Sequence, residues 1–264
     1  MFVTREDWPP SKQSATLIDK YVRELTPFFQ NNPPIQEYLE SHKDRISFDL
    51  DYAKKFLEPD SKILEIGAFP YLLTLPLIET GFDVTVVDKP SKEASPEVAT
   101  HWNVRVVACD VEIDKLPFES NQFDCVILNE VFEHLRFNLI FTMREIRRVI
   151  RRGGLLLLST PNLRSLQGLY HLLWNWEGFS SMGGIYHNYA ALETIGVMGH
   201  VREYTSKEVA DFLEQVGFEI DGVIYRGRYS DDWWLWRLSH YISQIRPELK
   251  LFFSIVGRKP LATE

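Results

Sequence analysis

The sequence is poor in cysteine and contains no long apolar run. Two of its 264 residues are cysteines, and both Cys109 and Cys125 lie in apolar stretches typical of buried strands. Reduced, buried thiols are therefore expected rather than a disulfide, and no metal centre is predicted because no Cys/His cluster has zinc-site spacing. No apolar run approaches the ~20 residues of a transmembrane helix, and residues 1–10 lack a signal-peptide core. These absences predict a cytoplasmic protein with no membrane span.

The sequence also lacks an excess of basic residues. Its formal net charge is −8 at pH 7, whereas a protein that binds nucleic acid regardless of sequence needs a basic surface. No nucleic-acid partner is therefore predicted. The hydrophobic content of 45% and the charged content of 25% are ordinary for a globular protein, and the length allows one substantial core.

What the sequence does contain is a regular alternation of short apolar runs and helical patterns. Each of five runs ends near a polar residue; the runs cover residues 62–66, 84–88, 104–110, 125–129 and 155–160. This alternation predicts a doubly wound α/β sheet, in which ligands bind at the carboxyl ends of the strands.

Two parts of the chain are expected to lie outside the simple alternation. Residues 1–46 are predicted to form an N-terminal helical arm or cap, which either closes over a cofactor or only covers the sheet, with the cover favoured. The main domain spans residues 47–264, with insertions at about 163–200 and 228–249. The first insertion is rich in aromatic residues and is predicted to cover a substrate, with a satellite core or a homodimer contact as the alternative.

The first apolar run leads into a turn that organises the chain. Ile63, Leu64 and Ile66 predict a buried parallel strand, and Gly67 allows a sharp turn or the close approach of a ligand. Pro70 is expected in the first turn of the next helix, whose free N–H groups favour an anionic group. Pro76 implies that this helix either starts late or is kinked.

An acidic residue ends the second predicted strand. Asp88 lies 23 positions after Glu65, and in nucleotide-binding βαβ units an acid ~20 residues on accepts hydrogen bonds from ribose hydroxyls. A carboxylate suits two neighbouring hydroxyls because it offers two acceptor oxygens. The alternative is an exposed aspartate at a strand end with no ligand.

Further segments follow the strand ends in a recognisable order. Glu65 and Gly67 occupy the acidic and first glycine positions of a first motif, while Phe69 and Tyr71 stand where two more glycines are usual. The later segments are Asp110-Val111, Leu116-Pro117-Phe118, Glu133-His134-Leu135 and Gly199-His200-Val201-Arg202-Glu203-Tyr204-Thr205. In this order, over about residues 50–258, the chain resembles the class I S-adenosylmethionine (SAM) methyltransferases.

The resemblance implies a Rossmann-like sheet of seven strands, the last one antiparallel, with SAM as cofactor and S-adenosylhomocysteine as product. It also implies that Asp110 accepts a hydrogen bond from the adenine amino group and that the backbone N–H of Val111 meets the ring. The acceptor implied is a small molecule, a lipid or a sugar, with O-methylation favoured. The expected cofactor-binding residues are Glu65, Gly67, Ala68, Phe69, Asp88, Lys89, Asp110, Val111 and Asn129.

Two other functions remain open at this point. An NAD-dependent oxidoreductase would also carry an acid such as Asp88, but the G-x-G-x-x-G fingerprint is absent and Asp110 would have no obvious role. A SAM-binding protein without catalytic activity is favoured by the aromatic residues Phe69 and Tyr71.

If the acceptor is a hydroxyl, three histidines are candidate bases, because a neutral imidazole can take a proton near physiological pH. His200 is the first choice, since it lies just before a helix that a capping box at Thr205–Glu208 predicts. His187 and His134 are the competitors, and a local role at a helix start is favoured for His134. For His200 the alternative is a hydrogen bond that only shapes the turn.

Overall fold

The computed structural model describes residues 2–5, 10–89, 96–176, 199–227 and 234–261, together with positions 186, 189, 190 and 193. Within these residues the strands are β1 Phe2–Arg5, β2 Lys62–Ile66, β3 Asp83–Asp88, β4 Arg105–Ala108, β5 Phe123–Asn129, β6 Ile150–Pro161, β7 Glu219–Arg226 and β8 Phe252–Arg258. The helices are α1 Lys12–Leu25, α2 Pro33–Phe56, α3 Thr74–Glu79, α4 Pro96–His101, α5 Leu139–Val149, α6 Leu166–Tyr170, α7 Ser206–Val216 and α8 Trp234–Ile245.

The described strands form one mixed sheet in the order β1-β7-β8-β6-β5-β2-β3-β4. All neighbouring pairs are parallel except those of β8, which runs antiparallel to both β6 and β7. The predicted seven-stranded sheet with an antiparallel last strand is therefore confirmed. An eighth strand, β1, extends the edge through parallel pairing with β7 from Phe2 to Arg5; the sequence predicted only an arm there.

Helices cover both faces of the sheet, as a doubly wound fold requires. Successive strand residues point to opposite faces, so Ile63 packs with α1, α2 and α3, whereas Leu64 packs with α5 and α7. The neighbouring residues of β5 alternate in the same way: Cys125 packs on the face of Ile63, and Val126 packs on the face of Leu64. Both cysteines are buried and unpaired, as predicted.

The long helix α2 joins the N-terminal region to the sheet. Its residues Ile46, Leu50 and Ala53 are buried in the core, and its Asp49 forms a buried ion pair with Arg226 of β7. The helix is continuous across residue 46, where the sequence placed the end of the N-terminal part. Separating a buried ion pair leaves an unpaired charge in the interior, which costs free energy. The Asp49–Arg226 contact therefore holds α2 against the sheet.

Proline and glycine positions correct two local predictions. Pro70 follows a cis peptide bond in the turn, and α3 begins only at Thr74, so Pro70 does not start the helix. Pro76 is the third residue of α3, which confirms the late start. The pair Gly153-Gly154 predicts a left-handed helix stop, but α5 ends earlier, at Val149, and Gly153 takes a φ of 73° inside β6.

The two predicted insertions are described in part. After β6 the chain forms α6 and a π-helical turn at His171–Asn175, and the side chains of Trp174 and Trp176 are exposed. Most of residues 177–198, on which the prediction of a substrate cover rests, lie outside the described residues. The second insertion contains α8. Across the helices that the structure describes, none combines the length and the apolar character needed to cross a bilayer.

Candidate active site

The carboxyl ends of β2, β3 and β5 lie side by side at the centre of the sheet. Strand β2 pairs with both β3 and β5, so Glu65, Asp88 and Asn129 come to the same edge. This is the edge at which open α/β sheets bind ligands.

Glu65 is buried and holds the first turn together. Its Oε2 accepts a hydrogen bond of 2.7 Å from Oγ1 of Thr74, the first residue of α3. Burial, with smaller contributions from Asp49 and Asp88, raises the pKa of Glu65 to about 8. The carboxyl group is therefore mostly protonated at neutral pH, and its contact links β2 to α3.

Gly67 is required by the shape of the turn. Its φ is 71°, and a Cβ at this position would lie 2.5 Å from Cγ2 of Val131. Its N–H donates a hydrogen bond of 2.9 Å to the carbonyl oxygen of Val87. A residue with a side chain would therefore both strain the backbone and displace Val131.

Asp88 is tied to the same turn from β3. Its Oδ2 accepts a hydrogen bond of 3.1 Å from the N–H of Phe69, and its Oδ1 accepts one of 2.9 Å from the N–H of Lys89. Burial raises the pKa of Asp88, against the effect of these two bonds. Each carboxylate oxygen can accept a further bond, so the group is oriented and can still receive two ribose hydroxyls.

The aromatic residues that replace the usual glycines point into the helical layer. The Phe69 ring packs edge-on against Phe29, with centroids 5.7 Å apart, and against Tyr71 at 6.0 Å. Tyr71 is buried in the core beside α1 and α2. Neither side chain lines the cavity at this turn, so both aromatics support the turn from behind.

A small cavity of about 30 Å³ lies beside the turn and extends to α2. Its lining includes Glu65 from β2, Gly67 and Ala68 from the turn, Asn129 from β5, and three side chains of α2. The full set is Tyr38, Arg45, Ile46, Glu65, Gly67, Ala68, Pro70, Leu72, Leu73 and Asn129. Helix α2 therefore contributes directly to the site.

Arg45 is a buried cation in this cavity that the sequence analysis did not identify. Its Nη2 donates a 3.2 Å hydrogen bond to the Tyr38 hydroxyl, and its Nη1 lies 3.7 Å from Oε1 of Glu130. Burial is the largest effect and opposes the charge, but Glu130, Tyr38 and Asp49 together outweigh it, so the pKa of Arg45 is raised. Its Nε has no hydrogen-bond partner among the described residues. The available signal was the helical spacing of Tyr38, Arg45 and Asp49 on one polar stripe of α2.

Lys89 and Asp110 meet at the ends of β3 and β4. The Lys89 ammonium lies 2.9 Å from Oδ2 of Asp110, and Oδ1 of Asp110 accepts a 3.1 Å hydrogen bond from the N–H of Glu112. Val111 is half-buried and its carbonyl accepts a hydrogen bond from Thr142. The residues expected at adenine are thus held rigidly at one end of the site.

Asn129 ends β5 beside β6, and Glu130 follows it. The hydroxyl of Ser159 lies 3.1 Å from Oδ1 of Asn129 and 2.9 Å from Oε1 of Glu130. Glu130 takes a φ of 53°, which turns the chain sharply after the strand. This turn carries the next segment, residues 131–135, over the strand ends.

A group of two histidines and two glutamates lies beyond Asn129. Nδ1 of His200 is 3.1 Å from Oε1 of Glu203, and Nε2 of His200 is 3.8 Å from Oε1 of Glu133. The rings of His134 and His200 have centroids 4.9 Å apart. His134 ends a short 3₁₀ turn, Phe132–His134. It does not start the next helix, the role that the sequence favoured, because α5 begins at Leu139 with Asn138 as its N-cap. His187 lies outside the described residues.

A family model described as a methyltransferase domain matches residues 35–223. The chain belongs to this family of SAM-dependent class I methyltransferases, and SAM is its cofactor. The highly reducing polyketide synthase Preu5 of Preussia isomera is 26% identical over 53% of the chain and 6% of its own length. The uncharacterized methyltransferase YodH of Bacillus subtilis is 31% identical over 38% of the chain and 42% of its own length. The chain thus spans less than half of either curated relative.

Solved structures show the same fold. A SAM-dependent methyltransferase from Thermotoga maritima superposes with a TM-score of 0.55 at 16% identity, covering 89% of this chain and 99% of the other. One from Methanosarcina mazei gives a TM-score of 0.57 at 18% identity, covering 80% and 98%. At these identities the similarity concerns the fold alone.

Proposed function

We propose that the chain transfers the methyl group of SAM to a hydroxyl of a small-molecule, lipid or sugar acceptor. The observation that carries the proposal is the set of polar groups at the carboxyl ends of the strands. Its first part comprises the Lys89–Asp110 pair, Asp88 and the small cavity lined by Gly67 and Arg45, and its second part is the histidine pair His134 and His200. The cofactor binds in the first part and the acceptor near the histidines.

The residues in the first part fit the groups of the cofactor. Asp88 receives the ribose hydroxyls, and Asp110 with Val111 receives the adenine. Arg45 meets the carboxylate of the methionine part, because its buried Nε has no other partner among the described residues and an arginine matches a carboxylate in shape and charge. When it is bound, SAM supplies a methyl group on a positively charged sulfur.

The chain contributes alignment and exclusion of water. Helix α2 covers the cavity beside the turn, and a dry, shaped site favours a reaction in which charge is lost. Holding two reactants in line is worth up to ~7–11 kcal/mol. For a hydroxyl acceptor, His200 is proposed as the base, with Glu203 orienting its ring through Nδ1.

Two observations weigh against the alternatives. An oxidoreductase needs the glycine fingerprint at the first turn, and Phe69 and Tyr71 occupy that region. A protein without activity was favoured by the same two aromatics, but both side chains pack away from the cavity. The glycine-poor turn is therefore compatible with a functional cofactor site.

The test is a methyl-transfer screen with isotopically labelled SAM. Phenols, hydroxy acids, sugars and hydroxylated lipids are offered separately, together with matched amines, and products are identified by mass spectrometry. Labelled methyl ethers that are absent with Asp88→Ala support the proposal, whereas labelled methyl esters would assign a carboxylate as the acceptor. Labelled products only from the amines contradict O-methylation, and no labelled product from any acceptor in a SAM-binding protein contradicts catalytic activity toward these classes.

A further inference from the structure

We propose that Glu133, His134 and His200 form a binding site for a divalent transition-metal ion, with zinc as the reference ion. One ligand atom from each residue lies within 4.8 Å of the others. Two imidazole nitrogens and one carboxylate oxygen are a donor set that zinc accepts, and three protein ligands leave a fourth position open.

An unsatisfied oxygen points into this cluster. Glu133 is fully buried. Its Oε2 accepts a 2.9 Å hydrogen bond from Thr160, whereas Oε1, the oxygen that faces Nε2 of His200, has no hydrogen-bond partner among the described residues. A buried carboxylate oxygen without a partner is costly. A bound cation would satisfy it.

Glu203 supplies the outer contact expected of a metal-binding histidine. Such a histidine usually donates its second ring N–H to a carboxylate, which fixes the tautomer and the ring orientation. Nδ1 of His200 lies 3.1 Å from Oε1 of the buried Glu203. This contact directs Nε2 of His200 toward Glu133.

The backbone holds the two halves of the cluster together. The N–H of Val201 donates a 2.8 Å hydrogen bond to the carbonyl oxygen of Glu133, so the turn after β5 and the segment before α7 are joined at the site. In a tetrahedral zinc site the donor atoms are about 3.4 Å apart. Binding therefore requires the most widely separated donor atoms to approach by up to about 1.4 Å.

The open position lies on the acceptor side of the site. This part of the inference rests on the proposed function: the fourth position would receive an oxygen of the acceptor, whose hydroxyl becomes more acidic on a metal. His200 then acts as a ligand, and the role of base no longer falls to it. Metal binding itself is independent of the acceptor and is measured separately.

The test uses the full chain without a histidine tag, stripped of metal with a chelator. Zn²⁺ is titrated calorimetrically, and Co²⁺ reports the coordination geometry through its visible absorption. We expect saturation at one equivalent and a cobalt spectrum of a four-coordinate site. Both titrations are carried out without SAM and without an acceptor. A failure to bind metal is therefore distinguishable from a failure of the proposed methyl transfer.

Substitutions test whether these residues form the zinc site. Glu133→Gln keeps the size of the side chain and the bond from Thr160, and His134→Gln removes one imidazole; each is expected to weaken zinc at least 10-fold. Glu203→Gln is expected to weaken it about 10- to 100-fold through His200. His101→Gln, at an exposed histidine of α4, is the matched control and should leave the affinity unchanged. A melting temperature that rises with SAM confirms that each variant is folded.

Two results would overturn the site. One is the absence of saturable zinc binding by the folded wild-type chain. The other is equal zinc affinity in wild type, Glu133→Gln and His134→Gln, which would place the metal elsewhere. If a variant does not fold, the cobalt spectrum of the wild-type chain still tests the proposal, because a six-coordinate spectrum would contradict the proposed four-coordinate site.

Discussion

The backbone N–H of Phe69 donates a 3.1 Å hydrogen bond to Oδ2 of Asp88, which joins the first turn to the end of β3. The same carboxylate accepts from the N–H of Lys89. The residue proposed to bind ribose therefore also fixes the turn beside the cofactor cavity. Its loss should affect the ribose contacts first, because the turn keeps its own bond from Gly67 to Val87.

Asp88→Ala is expected to weaken SAM about 10- to 100-fold, since hydrogen bonds to a charged group are worth ~1.5–3 kcal/mol. Calorimetry measures the change, with 5′-methylthioadenosine as a second ligand that shares the ribose. Both affinities should fall together. Unchanged affinity for both in a folded variant would refute the assignment.

SAM and S-adenosylhomocysteine should raise the melting temperature, whereas NAD should not. A ligand at ~100 times its dissociation constant adds about 2.7 kcal/mol to the free energy of unfolding. A thermal-shift titration of the wild-type chain measures the effect. A response to NAD alone would favour an oxidoreductase.

Arg45→Met is expected to weaken SAM about 10- to 100-fold through loss of a charge-assisted bond to the carboxylate. The matched ligand control is 5′-methylthioadenosine, which lacks that carboxylate and should bind nearly as before. Arg45→Lys, which keeps the charge, should recover part of the affinity. Equal losses for both ligands would show that Arg45 only supports α2.

Glu65 predicts a pH dependence of stability. Its pKa is raised to about 8 in the folded chain, so the folded state retains a proton that the unfolded state has released. The free energy of unfolding should therefore fall as pH rises from about 4.5 to 8 and level off above, by up to about 5 kcal/mol from this group. Denaturant unfolding at several pH values should show a smaller fall in Glu65→Gln. The control Glu119→Gln, at an exposed residue, should behave as wild type.

If His200 is the base, His200→Ala should slow single-turnover transfer about 10²- to 10⁴-fold while the SAM affinity is retained. Chelator-treated and zinc-loaded wild-type chains should then react at similar rates. Dependence of the rate on zinc would instead assign His200 to the proposed metal site. If the rate of His200→Ala stays within a few-fold of the wild-type rate, His200 has only a structural role.

The sequence by itself determined the sheet and one end of the site. Apolar runs that end in acids place Glu65, Asp88 and Asp110 at strand ends. Burial on both faces selects such runs in the inner strands β2 and β3, and parallel strands share one edge. The capping box before α7 was also readable, since Thr205 and Glu208 interact within one helical turn.

Only the tertiary structure decided the rest of the site. Arg45 reaches the cavity because α2 is fixed over the sheet by its buried face and by Asp49 with Arg226, contacts between distant parts of the chain. His200 meets Glu133 because Val201 bonds to the turn after β5. Local spacing carries no information about such pairs, since packing of separate elements sets their distances, and the sequence accordingly predicted no metal site.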